Sequence, residues 1–131
     1  MVRDVVLLVC ISLVAAPALS TPPRKPRLAV RVYPAIAFPP ATVLATAELV
    51  GGDEHQDFYC PELEWVWDDG ARSIRQSDCS PAGPETRIER HFSARHSFQA
   101  AGEYDVTLRL RRADRVITQA SAPLIVFAPS R

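Results

Sequence analysis

Along most of the chain apolar and polar positions alternate with a period of two, the pattern of strands that bury one face. Leu28, Val30 and Val32 alternate with more exposed positions over Leu28 to Tyr33, which predicts a first half-buried strand. Thr42 to Val50 predicts a second. Val43, Ala45, Ala47 and Leu49 fall on one face and Thr42, Thr46 and Glu48 on the other, and Thr and Val favour sheet over helix. The clearest alternation runs from Glu62 to Trp67: Leu63, Trp65 and Trp67 share a face, Glu62 and Glu64 point the other way, and Asp68-Asp69-Gly70 supplies the turn. A short strand is expected over Arg87 to Phe92. From Glu103 to Leu110, Tyr104, Val106, Leu108 and Leu110 form a core stripe while Asp105, Thr107, Arg109 and Arg111 face out. Arg112-Ala113-Asp114-Arg115 reads as a polar hairpin turn, and Val116 to Phe127 returns as the last strand, with Pro123 marking a bulge or an edge position.

Between these runs lie Pro34, the Pro39-Pro40 pair, Gly51-Gly52 and a loop from Ser77 to Glu85 containing Pro81, Gly83 and Pro84. The prolines at 34, 39 and 40 are expected to break regular pairing. Short strands separated by turn signals, with no convincing helix and no internal repeat, predict an all-β, antiparallel, immunoglobulin-like sandwich of two sheets and about seven strands.

The first 20 residues depart from this pattern. Arg3 and Asp4 precede an apolar run from Val5 to Val14, which fades into Ala15, Ala16, Ala18 and Ser20. A charged start, an apolar stretch and a small-residue end predict a secretory signal peptide over residues 1–20, cut after Ala18 or Ser20. An uncleaved anchor fits less well, since a span needs roughly 20 apolar residues and Pro17 interrupts the run. A lipoprotein reading of Cys10 places Val9 where a small residue is needed. Residues 21–27 are Pro-rich and basic and read as an extended tether, residues 28–127 as the domain, and residues 128–131 as a C-terminal tail. No second apolar span follows, so no membrane span is expected after cleavage, and the product is expected to be secreted, periplasmic or in the cell envelope.

Charge and cysteines sharpen this picture. Fifteen basic residues balance fifteen acidic ones among 131 residues, which removes the electrostatic footprint of a nucleic-acid binder. Cleavage leaves Cys60 and Cys79, and an even pair in an exported protein predicts a disulfide. Closing a loop of about 20 residues contributes about 3 kcal/mol in the chain-entropy model. A metal pair or a redox pair are the competing readings, and neither a CxxC spacing nor a nearby histidine supports them.

Two segments resemble the polycystic kidney disease (PKD) domain, an immunoglobulin-like sandwich of exported and cell-surface proteins. Glu64-Trp65-Val66-Trp67-Asp68-Asp69-Gly70 is similar to the family's aromatic-x-aromatic-x-Asp-Gly turn. His96-Ser97-Phe98, followed by Gly102-Glu103-Tyr104-Asp105-Val106-Thr107-Leu108, follows its His-x-aromatic and Gly-x-Tyr-x-Val-Thr-Leu order. Val66 and Asp68 depart from the family's Asp and Gly at those places, and the cysteine pair is not a general feature of it. The pair spans less chain than the inter-sheet bridge of antibody domains and is expected to tie the start of the Trp strand to the loop after it. The resemblance implies contact with a protein or carbohydrate through sandwich surfaces or loops. Trp65, Trp67, Gly102, Tyr104, Val106 and Leu108 would hold the scaffold. Gly102 suits a tight turn under which the Tyr104 ring packs with its hydroxyl bonded to backbone.

Candidate chemistry is sparse. His55, His91 and His96 lack the spacing of a zinc site, and no serine sits in a nucleophile-elbow setting. The acidic run from Asp53 to Asp69 contains no Lys or Arg, and Asp53, Asp57, Asp68 and Asp69 are candidate calcium ligands; a solvated acidic face is the alternative. Arg109, Arg111, Arg112 and Arg115 around the last hairpin are candidates for docking an acidic partner or polysaccharide, or form an edge that resists aggregation. The expected function is a non-catalytic binding or structural module without a cofactor, calcium excepted. A calcium-dependent adhesion module using residues 53–69, a small secreted hydrolase and a secreted enzyme inhibitor are the alternatives.

Overall fold

A computed structural model describes residues 11–16, 24–83 and 85–128. The expected leader (residues 11–16 apart), residues 21–23 of the tether and residues 129–131 of the tail lie outside the described residues.

Among the described residues eight strands run in the order β1 (Arg27–Tyr33), β2 (Ile36–Ala37), β3 (Ala41–Val50), β4 (Glu62–Val66), β5 (Arg72–Arg75), β6 (His91–Phe98), β7 (Gly102–Arg112) and β8 (Arg115–Val126). They form a three-stranded sheet, β1-β3-β6, and a five-stranded sheet, β2-β8-β7-β4-β5. All pairs are antiparallel except β2 with β8. This is the expected immunoglobulin-like sandwich, with eight strands rather than about seven.

The alternating stripes meet between the sheets. Leu28 and Val32 of β1, Val43, Ala45, Ala47 and Leu49 of β3, and Leu63 and Trp65 of β4 are buried against Val106, Leu108 and Leu110 of β7. Trp65 and Trp67 stack with centroids 5.6 Å apart, and Trp67 is wholly buried. Each buries on the order of 200 Å², which at about 25 cal/mol/Å² is an upper bound near 5 kcal/mol.

Tyr104 lies near the start of β7 and its hydroxyl donates to the Ala100 carbonyl at 2.7 Å, the expected corner. Gly102 is favoured by close approach: a Cβ there would stand 3.3 Å from Tyr104 Cζ, and the ring would have to give by a few tenths of an ångström. The expected turn after the Trp strand also forms. Trp67 N–H donates to the Ala71 carbonyl, and Asp68 and Gly70 adopt positive φ.

Two expectations are corrected, one strand was not foreseen, and one of the two readings of Pro123 holds. Prolines 34, 39 and 40 do not abolish pairing, because a segment without proline N–H groups still offers carbonyls; Ala35 and Ala37 accept from Ile125 and Phe127, making β2. Arg72–Arg75 forms the edge strand β5 although its four residues are all exposed, which left no alternation to read. The strand expected over Arg87 to Phe92 lies at His91–Phe98, since Phe92, Ala94, His96 and Phe98 face inward and a histidine interrupts the apolar stripe. Of the two readings of Pro123 the edge position holds, and the bulge falls elsewhere, between Leu110 and Arg111. Beside Pro123, β8 pairs with β7 only, because β2 reaches no further than Ile125 and Val126.

The Cys60–Cys79 disulfide is formed, with Cα atoms 6.1 Å apart. It ties the chain just before β4 to the loop after β5, as expected. The tether is shorter than its composition predicts. Arg27 already belongs to β1, and the backbone of Arg24 exchanges hydrogen bonds with Asp53. Gly52 permits this contact, since a Cβ there would stand 2.5 Å from the Pro26 nitrogen.

Candidate functional site

Polar side chains collect at three places: the turn after β4, the outer face of the five-stranded sheet and the outer face of the three-stranded sheet.

At the turn, His96 of β6 reaches across the sandwich and its Nε2 donates to Asp69 Oδ2 at 2.7 Å. Its ring stacks on Trp67 with centroids 4.6 Å apart, and Trp67 Nε1 donates to Ser73 Oγ. Burial pushes the Asp69 carboxyl up, but hydrogen bonds from His96 and the Ala71 amide, with the His96 charge, outweigh it and hold Asp69 below its ordinary value. The dyad joins the two sheets, and among the described residues no nucleophile is hydrogen-bonded to it. His55 instead caps a single 3₁₀ turn, Gln56–Phe58, where its Nδ1 accepts from the Asp57 amide. His91 stands on the outer face of the three-stranded sheet, so the three histidines do not converge.

The acidic run is dispersed. Asp53 and Asp57 precede β4 while Asp68 and Asp69 follow it, so the strand's five residues, about 16 Å of extended chain, carry the two pairs to opposite ends. Asp53 accepts from the Arg24 amide and Asp68 from the Asp105 amide. Glu54 accepts from the Ile88 amide, which, aided by Arg90 and against partial desolvation, holds it below its ordinary value. Among the described residues no group of three or more His, Cys, Asp or Glu side chains could hold a metal ion. The four aspartates proposed as a calcium site are thus not assembled into one.

The outer face of the five-stranded sheet bears on the arginine run. Glu64 points away from the core, as predicted, yet it is only 2% exposed. Register explains this: Glu64 pairs with Arg109 on β7 and with Ile74 on β5. Arg109 Nη1 donates to Glu64 Oε1 at 3.0 Å and Arg111 Nη1 to Oε2 at 3.2 Å, while Arg72 stands 3.9 Å away. The arginine stems cover the carboxylate they neutralise. Arg109 and Arg111 are therefore committed to one buried acid, Arg112 donates to the Gln56 carbonyl, and Arg115 sits at the hairpin turn. Of the four candidate arginines for a docking patch or a soluble edge, Arg109 and Arg111 are held by Glu64 and Arg112 by a backbone carbonyl, so the four do not stand together as a free patch.

The three-stranded sheet is the converse. Its outward positions are Arg27, Ala29, Arg31 and Tyr33 of β1, Val50, Glu48, Thr46, Leu44 and Thr42 of β3, and His91, Ser93, Arg95 and Ser97 of β6. Arg27, Arg31 and Arg95 are exposed and make no side-chain hydrogen bond or ion pair among the described residues. A shallow groove of about 340 Å³ runs between Arg27, Arg31, Thr46, Glu48, Val50 and His91. Tyr33, 78% exposed, stands one row beyond, in register with Leu44 and Arg95. Sequence reasoning missed this face. The outward places of β1 were legible, but Arg95 was hidden in a segment not recognised as a strand.

Compared with known proteins, the chain matches no family model, no curated protein and no solved structure. No helix among the described residues is long and apolar enough to cross a membrane, and this, with the disulfide, is compatible with an extracellular protein.

Proposed function

We propose that this chain is an exported, non-catalytic binding module of the PKD type, contacting a protein or carbohydrate partner through an outer sheet face. The observation that carries the reading is where the unengaged polar side chains stand. They line a flat, open sheet face, whereas the histidine and carboxylate nearest the core are engaged in holding the scaffold. Enzymes and small-molecule sites need a concave pocket with convergent groups. The β1-β3-β6 and β2-β8-β7-β4-β5 order, the Tyr104 corner and the bridge support the resemblance and the oxidising compartment it implies.

The test uses the whole chain expressed in a secreting host. N-terminal sequencing is expected to find cleavage after Ala18 or Ser20. A column carrying the oxidised protein should retain a macromolecule from fractionated envelope extract that a reduced, unfolded column does not. A fluorophosphonate probe should leave the protein's mass unchanged. A fold-dependent covalent adduct would replace this reading with a hydrolase, and an uncleaved protein confined to the cytoplasm would end the exported one.

A further inference from the structure

Resting on the binding-module reading, we infer that the outer face of the three-stranded sheet binds an anionic polysaccharide, a sugar chain carrying carboxylate or sulfate groups.

Charge is the first argument. Arg27, Arg31 and Arg95 stand on this face against one outward carboxylate, Glu48. The whole chain is formally neutral, so this excess is a local feature and not a reflection of a basic protein. Guanidinium groups suit carboxylate and sulfate because their donors form a planar fork.

Spacing decides between a small anion and a polymer. Arg27 and Arg31 are four residues apart on β1, about 13 Å along the strand. Arg95 lies two strands across from β1 and one row beyond Arg31, again about 12 Å away. Arg27 and Arg95 are about 22 Å apart by the same measure, more than one small anion bridges even with both side chains extended, whereas a chain with charges at intervals meets all three.

The floor decides between a glycan and an acidic protein. Between the arginines lie Ala29, Leu44, Thr46 and Ser93, of which Ala29, Thr46 and Ser93 are short, keep the face open and place two hydroxyls on it. Protein interfaces draw their energy from aromatic and apolar anchors filling desolvated pockets, and no such pocket opens here. An extended peptide, for its part, adds to a sheet edge rather than lying on a face. Tyr33 offers an exposed ring one row beyond the groove, a flat apolar platform of the kind a sugar ring can lie against.

Affinity electrophoresis of the oxidised full chain provides the test, through gels containing alginate, dextran sulfate, neutral dextran or poly-glutamate. Retardation is expected in alginate, in dextran sulfate or in both, the pair separating carboxylate from sulfate recognition, and not in neutral dextran. It should fade as ionic strength rises toward 1 M, where the Debye length is about 3 Å. The double variant Arg31→Glu/Arg95→Glu should weaken binding about tenfold or more, while Arg115→Glu on the β7–β8 hairpin of the other sheet stays within about twofold of native. Circular dichroism checks that both variants fold. Equal loss with Arg115→Glu would reduce the effect to net charge, and tighter binding of poly-glutamate would make the partner an acidic protein; either overturns the inference. Failure in all four gels overturns it too, yet leaves the module reading standing if the envelope column still retains a macromolecule.

Discussion

The two outer faces of the sandwich carry similar residues and use them in opposite ways. On the five-stranded face Arg109, Arg111 and Arg72 surround Glu64, and the carboxylate is buried although it projects outward. On the three-stranded face Arg27, Arg31 and Arg95 have one nearby acid, Glu48, and no ion pair with it. One register accounts for the difference. Glu64 lies beside Arg109 on an interior strand flanked on both sides, so neighbouring side chains close over it. Arginines on β1 and β6 occupy the two edge strands with β3 between them, and the outward acid of β3, Glu48, stands in register with Ala29 and His91 and with no arginine. An arginine count therefore says little about binding, and the acid each arginine meets decides whether its charge is structural or available.

The comparison breaks first at Glu64. Glu64→Gln leaves guanidinium groups facing one another without their counter-charge. Losing one member of a buried pair costs about 3–5 kcal/mol, and because Arg109 and Arg111 are 38% and 28% exposed solvent screening reduces this to about 2–3 kcal/mol. Urea unfolding at neutral pH measures it. A loss below about 0.5 kcal/mol, the range of ordinary surface substitutions, would return the five-stranded face to the status of a simple charged surface.

Removing the bridge sharpens the contrast differently. Cys60→Ser/Cys79→Ser frees the chain before β4 from the loop after β5, with a sequence separation of 19. The expected cost is about 3 kcal/mol, read as a lower urea midpoint. Below that midpoint the retardation by anionic glycans should be unchanged, because β1, β3 and β6 do not contain the bridge. Lost glycan retardation in the still-folded variant would assign binding to the loop after β5 rather than to the three-stranded face.

The elements that were legible in the sequence explain why this contrast was not. Period-two stripes such as Leu63, Trp65 and Trp67, or Val106, Leu108 and Leu110, report which face is buried, and these reached the core as read. The bridge was legible from parity and the corner from the spacing of Gly102 and Tyr104. What alternation does not report is which strands become neighbours. Glu64 and Arg109 are 45 residues apart, and only the β4–β7 pairing makes an outward glutamate a buried one. The same omission made Asp53, Asp57, Asp68 and Asp69 look like a cluster, when β4 separates them. Arg95 was missed because His96 occupies an inward place and masks the stripe of β6.

A smaller effect tests the contact that joins the sheets. Asp69→Asn keeps the turn's shape and removes the charge that His96 meets. With both side chains about one-fifth exposed, the cost at neutral pH is about 1 kcal/mol. Asp69 titrates lower in the folded protein than in the unfolded chain, so the unfolded chain takes up its proton first. Its contribution is therefore complete above the ordinary carboxylate value of 3.8 and disappears as pH falls through the lower folded value. The stability difference between native and Asp69→Asn should accordingly shrink between about pH 5 and pH 2. A difference that stays constant over that range would show that the hydrogen-bond geometry matters and the charge does not.

The smallest effect is the one on which the contrast depends most. Arg31→Ala and Arg95→Ala remove exposed side chains that meet no acid, so each should change the unfolding free energy by less than about 0.5 kcal/mol. Any shift is expected to be upward at low salt, where like charges on one face repel, and to vanish at high salt. Arg109→Ala, measured alongside, should cost more than 1 kcal/mol because it uncovers Glu64 as well as removing its partner. If Arg31→Ala destabilised the fold as much as Arg109→Ala, the three-stranded face would be structural too. Its charges would then no longer be free for a ligand, and the assignment of an anionic glycan to that face would lose its footing. Near-neutral stability together with lost glycan retardation would separate the two roles that arginine plays on this sandwich.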